Sequence, residues 1–450
     1  MKYQFISIPT ALVVLFFAFA KAGYSQESAI QESLTLEQAM ALALENNFSI
    51  QIERKQSEIA EEQYSIGNAG LLPSIHLIGS GNYTNNQTDL TIRTFQPPPA
   101  PATQSFDESG VAALTAQGVV QADYTVFAGF SGRYRYKILE SANQIAHYQQ
   151  QVTINQTLVQ VSTLFLEIAK LQRREELLKQ NIEITSDRIQ RIQDQKQFGK
   201  ATGLDVLNAE SNLNRDKTLL DQVLLTKNNL IRDLNFVIGY QPEQQYRVSV
   251  MYAPQGLQDI PSIQQEILKN NPQLLLAEQG IVTSDYEIGL AKSRTMPQLD
   301  VFANYGAFYQ ENDLQQLAEI TNIGYTVGAT LRFNIFDGSQ TRTAIRSAEL
   351  QKESIEIEKE QLQSRLLTDA VTEVNRIQIL ETQLERERVN LITFQEAFTR
   401  TEERFKNGKA TNLDIRDAQT ALLDAEIIIA ELQADIMNAY LRLDRLKGKI

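Results

Sequence analysis

Between about Gly129 and Phe198, apolar residues return every seven positions, with Leu164, Leu171 and Leu178 on one track and Ile168, Ile182 and Ile189 on the next. A second stretch repeats the pattern with Ile377, Leu384, Leu391 and Phe398, flanked by Leu380 and Phe394. A seven-residue apolar period lets helices supercoil against partners. At about 1.5 Å per residue, the first stretch predicts a helix of roughly 100 Å, the length of a tube or rod rather than of a globular domain. Proline agrees, because residues 102–241 and 298–450 contain none and are rich in Gln, Glu, Leu, Ile, Arg and Ala. Such runs predict long helices.

Elsewhere the period drops to two. Ile323, Tyr325, Val327, Ala329, Leu331, Phe333 and Ile335 alternate with Gly324, Thr326, Gly328, Thr330, Arg332 and Asn334. Leu114–Val126 alternates in the same way, and Ile75–Tyr83 and Leu299–Tyr309, opened by Pro73 and Pro297, are weaker matches. The pattern predicts strands at about 74–85, 113–127, 298–310 and 322–336, each with one apolar and one polar face. Their length fits a membrane β-barrel, which needs about nine to eleven tilted residues per crossing. A soluble sandwich is the competing reading, but the apolar faces carry aromatic residues and no other apolar layer exists to cover them. Four strands cannot close a barrel alone, and open edges in lipid are prohibitively costly, so several chains must share one.

The chain also repeats itself. "FGKATGLDVLNAE" at Phe198 is answered by "NGKATNLDIRDAQ" at Asn407, 209 residues later, and the same offset relates "FAGFSG" at Phe127 to "FDGSQT" at Phe336. "LENN" at Leu44 and Pro73 are answered by "LKNN" at Leu268 and Pro297, both 224 later. The organisation read from this is a first repeat over 26–239, a connector over 240–260 with one possible strand in "YRVSV", and a second repeat over 261–450. The fifteen-residue difference in offset points to an insertion between Pro73 and Phe127, at "NQTDLTIRTFQPPPAPATQSFDESG". In each GKAT segment, Gly can leave the helical basin, Thr can cap the next helix, and Asp three residues on completes a capping box. Gly199–Asp205 and Gly408–Asp414 are therefore expected as tips of helical hairpins.

Composition narrows the functional classes. "MKYQFISIPTALVVLFFAFAKAGYSQE" predicts a signal peptide over 1–25. The chain has no cysteine, hence no disulfide, thiolate metal site or lipid-attachment cysteine, and only His76 and His147. Neither cofactor nor metal is expected. A net charge of −13 argues against nucleic acid. After the leader no segment approaches eighteen consecutive apolar residues. A secreted enzyme would have to assemble its site from two histidines and scattered carboxylates, such as Glu61–Glu62 or Glu402–Glu403, which read as solvated helix faces. No catalytic residues are expected.

The element order, the duplication and the G-K-A-T-x-L-D tips together resemble the TolC-like outer-membrane efflux proteins over roughly residues 33–448. The resemblance implies a homotrimer with a twelve-stranded β-barrel in the outer membrane, four strands from each chain, continued by an α-helical barrel through the periplasm. It implies a passive duct for efflux or type I secretion. The partners implied are outer-membrane lipid, a periplasmic adaptor, and an inner-membrane pump such as an RND or ABC transporter. Gly199, Lys200, Ala201, Thr202, Gly408, Lys409, Ala410 and Thr411 become candidates for adaptor docking in addition to their turn role. Asp414 and Asp417, three apart and so on one helical face, match an acidic ring at the family's constriction. Six carboxylates in a trimer would favour cations, and crowding would raise some of their pKa values. Asp414 equally fits the capping box alone, whereas Asp417, aligned with Asn208 in the first repeat, does not. The resemblance implies a Tyr three residues before the second tip glycine and an Arg two after it, helping to hold the entrance shut. Phe405 and Ala410 stand there instead, which points to apolar packing or other partners. A periplasmic coiled-coil adaptor or scaffold without a barrel would share the heptads and tips but leave the four strands unexplained.

Overall fold

The computed structural model describes residues 33–93, 103–250, 252–253, 256–312 and 318–450. The expected signal peptide and the QPPPAP segment lie outside the described residues. The chain starts with β1 (Ser33–Thr35), α1 (Leu36–Asn46), α2 (Phe48–Gln63), β2 (Ser74–Arg93), β3 (Thr103–Ala128), α3 (Ser131–Gln197) and α4 (Gly203–Ile238). It continues with β4 (Arg247–Ser249), α5 (Ile260–Asn270), α6 (Pro272–Ser293), β5 (Gln298–Asn312), β6 (Glu319–Arg332), α7 (Gln340–Lys406) and α8 (Asn412–Leu446).

The helices α3 and α7 each run for 67 residues, about 100 Å. Side by side, α3 packs on α4, α2, α6 and α8, while α7 packs on α6 and α8. One flank of this layer is therefore α2 and α4, and the other is α7. Two apolar clusters hold the upper part. Val161, Phe165 and Ile168 meet Ala39, Ala43, Ile231, Leu234 and Ile238, and Leu366, Ala370 and Ile377 meet Ile263, Ile267, Ile436 and Leu443.

The repeated Asn-Asn pairs have a physical role. Asn47 Oδ1 accepts from the Ser49 and Ile50 N–H groups and caps α2, while its Nδ2 donates to the Val237 carbonyl at 2.9 Å. Asn271 caps α6 through the Gln273 and Leu274 N–H groups, and its Nδ2 donates to the Leu446 carbonyl at 2.9 Å. One side chain thus satisfies the orphan donors of one helix and ties it to the end of another.

The connector strand β4 pairs in parallel with β1. On α3, Gln172 mimics a strand: its amide nitrogen donates to the Val248 carbonyl at 3.2 Å and its oxygen accepts from the Val248 N–H at 3.0 Å.

The main sheet is antiparallel in the order β2-β3-β5-β6, so β2 and β6 each have an edge unpaired within the chain. Its register sorts the side chains into two faces. Leu77, Val120, Tyr305 and Tyr325 lie in one cross-strand row and Ile75, Ala122, Ala303 and Val327 in the next. Leu77 and Tyr325 are 82% and 80% exposed in the single chain. The opposite face carries His76, Gln121, Asn304 and Thr326 in register, and Ser80, Gln117, Phe308 and Asn322. Among the described residues no helix is long and apolar enough to cross a membrane.

Three strand boundaries differ from the sequence expectation. β2 and β3 keep pairing to Arg93↔Thr103, past a register shift between Asn86 and Thr88. The only alternation there, Leu90 and Ile92 between Asp89, Thr91 and Arg93, is short and lies inside the segment read as an insertion. β6 stops at Arg332 rather than near 336, because Asp337 accepts from the Thr341 N–H at 3.0 Å and turns the chain into α7.

Candidate functional site: the paired hairpin tips

Each tip folds by the same local chemistry. At the end of α3, the Lys200 N–H donates to the Gln195 carbonyl at 2.8 Å and the Gly199 N–H to the Lys196 carbonyl at 3.0 Å. At the end of α7, Lys409 donates to Arg404 at 2.7 Å and Gly408 to Phe405 at 3.0 Å. These paired bonds form a Schellman turn, which places its glycine in the left-handed region. Gly199 has φ +65° and Gly408 φ +71°. Capping boxes then open the next helices. The Asp205 N–H donates to Thr202 Oγ1 at 3.2 Å and the Asp414 N–H to Thr411 Oγ1 at 3.1 Å; each carboxylate in turn accepts from the threonine's own N–H at 2.8 Å.

The cap sets the charge state of these aspartates. Hydrogen bonds from the backbone and hydroxyl of Thr411 hold Asp414 below the usual carboxylate range, and Thr202 does the same for Asp205. Within one chain Asp414 is therefore shifted down, opposite to the crowding expected of a ring. A lowered folded-state pKa contributes stability that is present above the unfolded value of about 3.9 and is lost as pH falls through the folded one. Amide exchange at residues 203–206 and 412–415 is therefore expected to accelerate only below about pH 4. Thr411→Ala should flatten that pH response at the second tip.

The structure separates the roles of the other tip residues. Ala201 and Ala410 pack against an apolar cluster of Ile189, Ile192, Val206, Ala209, Phe405 and Ile415 that joins the two tips. Lys200 and Lys409 point outward, exposed, and form no ion pair among the described residues. Leu204 and Leu413, exposed beside them, complete a mixed surface at the hairpin ends. Asp417 is exposed and outside the cap. Phe405 is 5% exposed and holds the tips together through apolar contact, so this chain joins its hairpins without a tyrosine hydroxyl.

Directly above the apolar cluster lies a buried polar one that the sequence reading did not single out. Arg416 on α8 forms a two-pronged ion pair with Asp216 on α4, at 2.7 and 2.8 Å. Asn181 donates to the same Asp216 oxygen at 2.8 Å. Gln419 accepts from Arg188 Nη1 at 2.7 Å and donates to Asn181 Oδ1 at 2.6 Å and to Thr185 Oγ1 at 3.2 Å. Burial, then the neighbouring Arg416 charge, pushes the Arg188 guanidinium down to about 10. Its Nε and Nη2 have no partner among the described residues. A signal for this cluster existed in the repeat. The 209-residue offset aligns Asp216 with Ala425 and Arg188 with Ala397, so the first repeat carries charge where the second has a small apolar residue. The two histidines lie elsewhere: His76 is on the polar sheet face, and His147 Nδ1 is 3.0 Å from Ser57 Oγ.

Comparison with known proteins decides the family. The sequence profile described as "Outer membrane efflux protein" matches residues 39–233 and 263–449. The chain belongs to the outer membrane efflux protein family. It is 24% identical to outer membrane protein OprJ of Pseudomonas aeruginosa over 92% of this chain and 84% of that one. It is 21% identical to the alkaline protease secretion protein AprF of the same species, over 89% and 82%. Its fold matches the CmeC outer membrane channel of Campylobacter jejuni with a TM-score of 0.74 at 16% identity, covering 92% of this chain and 85% of that one. This family member is thus an outer-membrane channel protein of the TolC-like fold, with its sheet in the outer membrane and its helices in the periplasm.

Proposed function

We propose that three copies of this chain close a twelve-stranded barrel and a hollow helical barrel, forming a passive export duct served by a periplasmic adaptor and an inner-membrane pump. The observation that carries this reading is the pair of unfinished flanks. β2 and β6 each present an open edge beside an apolar face, which lipid does not tolerate. The helical flanks match: Ile52, Ile59 and Ile66 step by seven along α2 and just beyond its end, and Leu350 and Ile357 step by seven on α7, all exposed in the single chain. A rotated copy satisfies both. Twelve strands follow from four per chain, and six hairpin tips ring the open end.

In this assembly Gly199, Lys200, Ala201, Thr202, Gly408, Lys409, Ala410 and Thr411 form the docking rim. The turn and capping residues fix its shape, and the free Lys200 and Lys409 ammonium groups supply charge for acidic partner side chains. Asp414 and Asp417 line the constriction. The pump it serves is an RND-type or ABC-type transporter; the family's description as efflux proteins and the name of AprF, for alkaline protease secretion, support an export role, and the duct itself performs no chemistry. Planar-bilayer recording tests the constriction. Asp414→Ala with Asp417→Ala is expected to lower the preference for cations by roughly tenfold, the low end of what a like-charged ring does to local ion concentration. Unchanged selectivity would remove both residues from the narrow point.

A further inference from the structure

At the foot of the barrel, the alternation of β6 runs on past its last paired residue. Phe333 and Ile335 continue the apolar row of Tyr325, Val327 and Leu331, and Ile335 and Phe336 are 90% and 84% exposed. These two side chains border a groove of about 750 Å³ between the α6–β5 and β6–α7 connections. The same groove is lined by three cations, Arg294, Arg342 and Arg346, against two carboxylates, Asp337 and Glu349. Arg332 belongs to the opposite, polar row, paired with Gln298, and does not contribute.

The charges in this groove are unbalanced. Arg294 and Arg342 form no ion pair among the described residues, and Arg346 has only long contacts to Glu349 and Glu353, at 3.5 and 3.6 Å. Asp337 is turned onto Thr341. Three guanidinium groups thus sit directly below bare apolar side chains, in a chain whose net charge is −13. Water solvates the arginines but not Ile335 and Phe336, and hydrocarbon does the reverse. A molecule with an anionic head and a fatty tail satisfies both halves.

We infer that this groove holds the phosphodiester head group of an anionic glycerophospholipid from the periplasm-facing leaflet, with its acyl chains lying along Ile335, Phe333 and Leu331. Arginine suits the task because its planar fork matches phosphate oxygens and its stem packs on apolar surface. The inference rests on the sheet facing lipid, as proposed above. The duplication provides an internal comparison. Offsets of 209 and 224 place Arg133, Lys137 and Gly70 where the second repeat has Arg342, Arg346 and Arg294. The first repeat replaces Arg294 by Gly70 but sets the Arg135 guanidinium beside it, where the second repeat has Ala344, and Glu140 occupies Lys137 at 2.6 Å, so the two sites differ in arrangement and pairing rather than in number of cations.

The test uses the full detergent-solubilised assembly, with phosphatidylglycerol, phosphatidylcholine or inorganic phosphate added. Phosphatidylglycerol is expected to remain bound in native mass spectra and to raise the unfolding temperature more than phosphatidylcholine does. Basic residues near an anionic lipid contribute about fivefold each, so Arg294→Ala, Arg342→Ala and Arg346→Ala together should weaken phosphatidylglycerol binding on the order of 100-fold. Arg342→Gln alone should weaken it about fivefold if the triple variant does not fold, and Arg133→Ala should leave it unchanged. Equal retention by the triple variant, an equal loss in Arg133→Ala, or equal protection by inorganic phosphate overturns the site. A heat-modifiable trimer with no phospholipid preference removes the lipid site alone, whereas a detergent-free soluble monomer removes the channel reading as well.

Discussion

Replacing Arg416 with alanine is expected to detach the second hairpin from the first near the tips, at a cost of about 3–5 kcal/mol. Asp216 is 2% exposed, and both of its oxygens are engaged by the Arg416 guanidinium. An exposed ion pair contributes little, but here the loss of one partner strands a buried carboxylate with only Asn181 to solvate it. The loosening should appear as faster amide exchange over residues 210–223 of α4 and 412–425 of α8, and as longer open times in single-channel recordings. Asp216→Leu with Arg416→Met should recover most of the loss, since apolar pairs of similar volume commonly replace buried ion pairs at no cost. Arg188→Met provides the opposite expectation inside the same cluster. Among the described residues Arg188 has no carboxylate of its own and two of its nitrogens are unpartnered, so removing its charge should be neutral or stabilising. If Arg416→Ala costs less than about 1 kcal/mol, the pair behaves as a surface pair and the cluster does not hold the hairpins.

The parts of this architecture that were readable in advance are those written in periodicity and turn chemistry. The seven-residue tracks mark α3 and α7, the alternating rows mark β3 and β6, and the GKAT segments mark two Schellman turns with capping boxes. Each depends on residues near one another in the chain. What could not be read depends on contacts between distant segments. Asp216 and Arg416 are 200 residues apart, and nothing in either local sequence names the other. Phe405 and Ala410 stood out only as departures from an expected pattern, and their apolar partners Ile189, Ile192 and Val206 became visible once α3, α4 and α8 were packed. The extension of the β2–β3 hairpin escaped for another reason: its one short alternation, Leu90 and Ile92, lies inside a stretch that the repeat offset marks as an insertion.

Phe405→Ala is expected to cost about 3–5 kcal/mol at the same junction through a different mechanism. The ring is 5% exposed and shares its cluster with residues from α3, α4 and α8, so it fastens the end of α7 to both hairpins at once. A cavity of about 100 Å³, lined by Ile184, Arg188, Glu402 and Ile415 among others, already lies beside it. The space vacated by the ring would merge with that cavity rather than close, which places the loss towards the upper part of the range. The series should follow volume: Phe405→Met is expected to cost under about 1.5 kcal/mol and to keep the tips together. Phe405→Tyr carries the ring but adds a hydroxyl to an apolar cluster, so it should fall between the two unless that hydroxyl reaches water. Thermal unfolding of the helical part gives the energies, and entry of bulky antibiotics into cells carrying each variant reports the state of the entrance. If alanine and methionine prove equally leaky, volume is not what Phe405 supplies, and the buried ion pair above it must hold the entrance unaided.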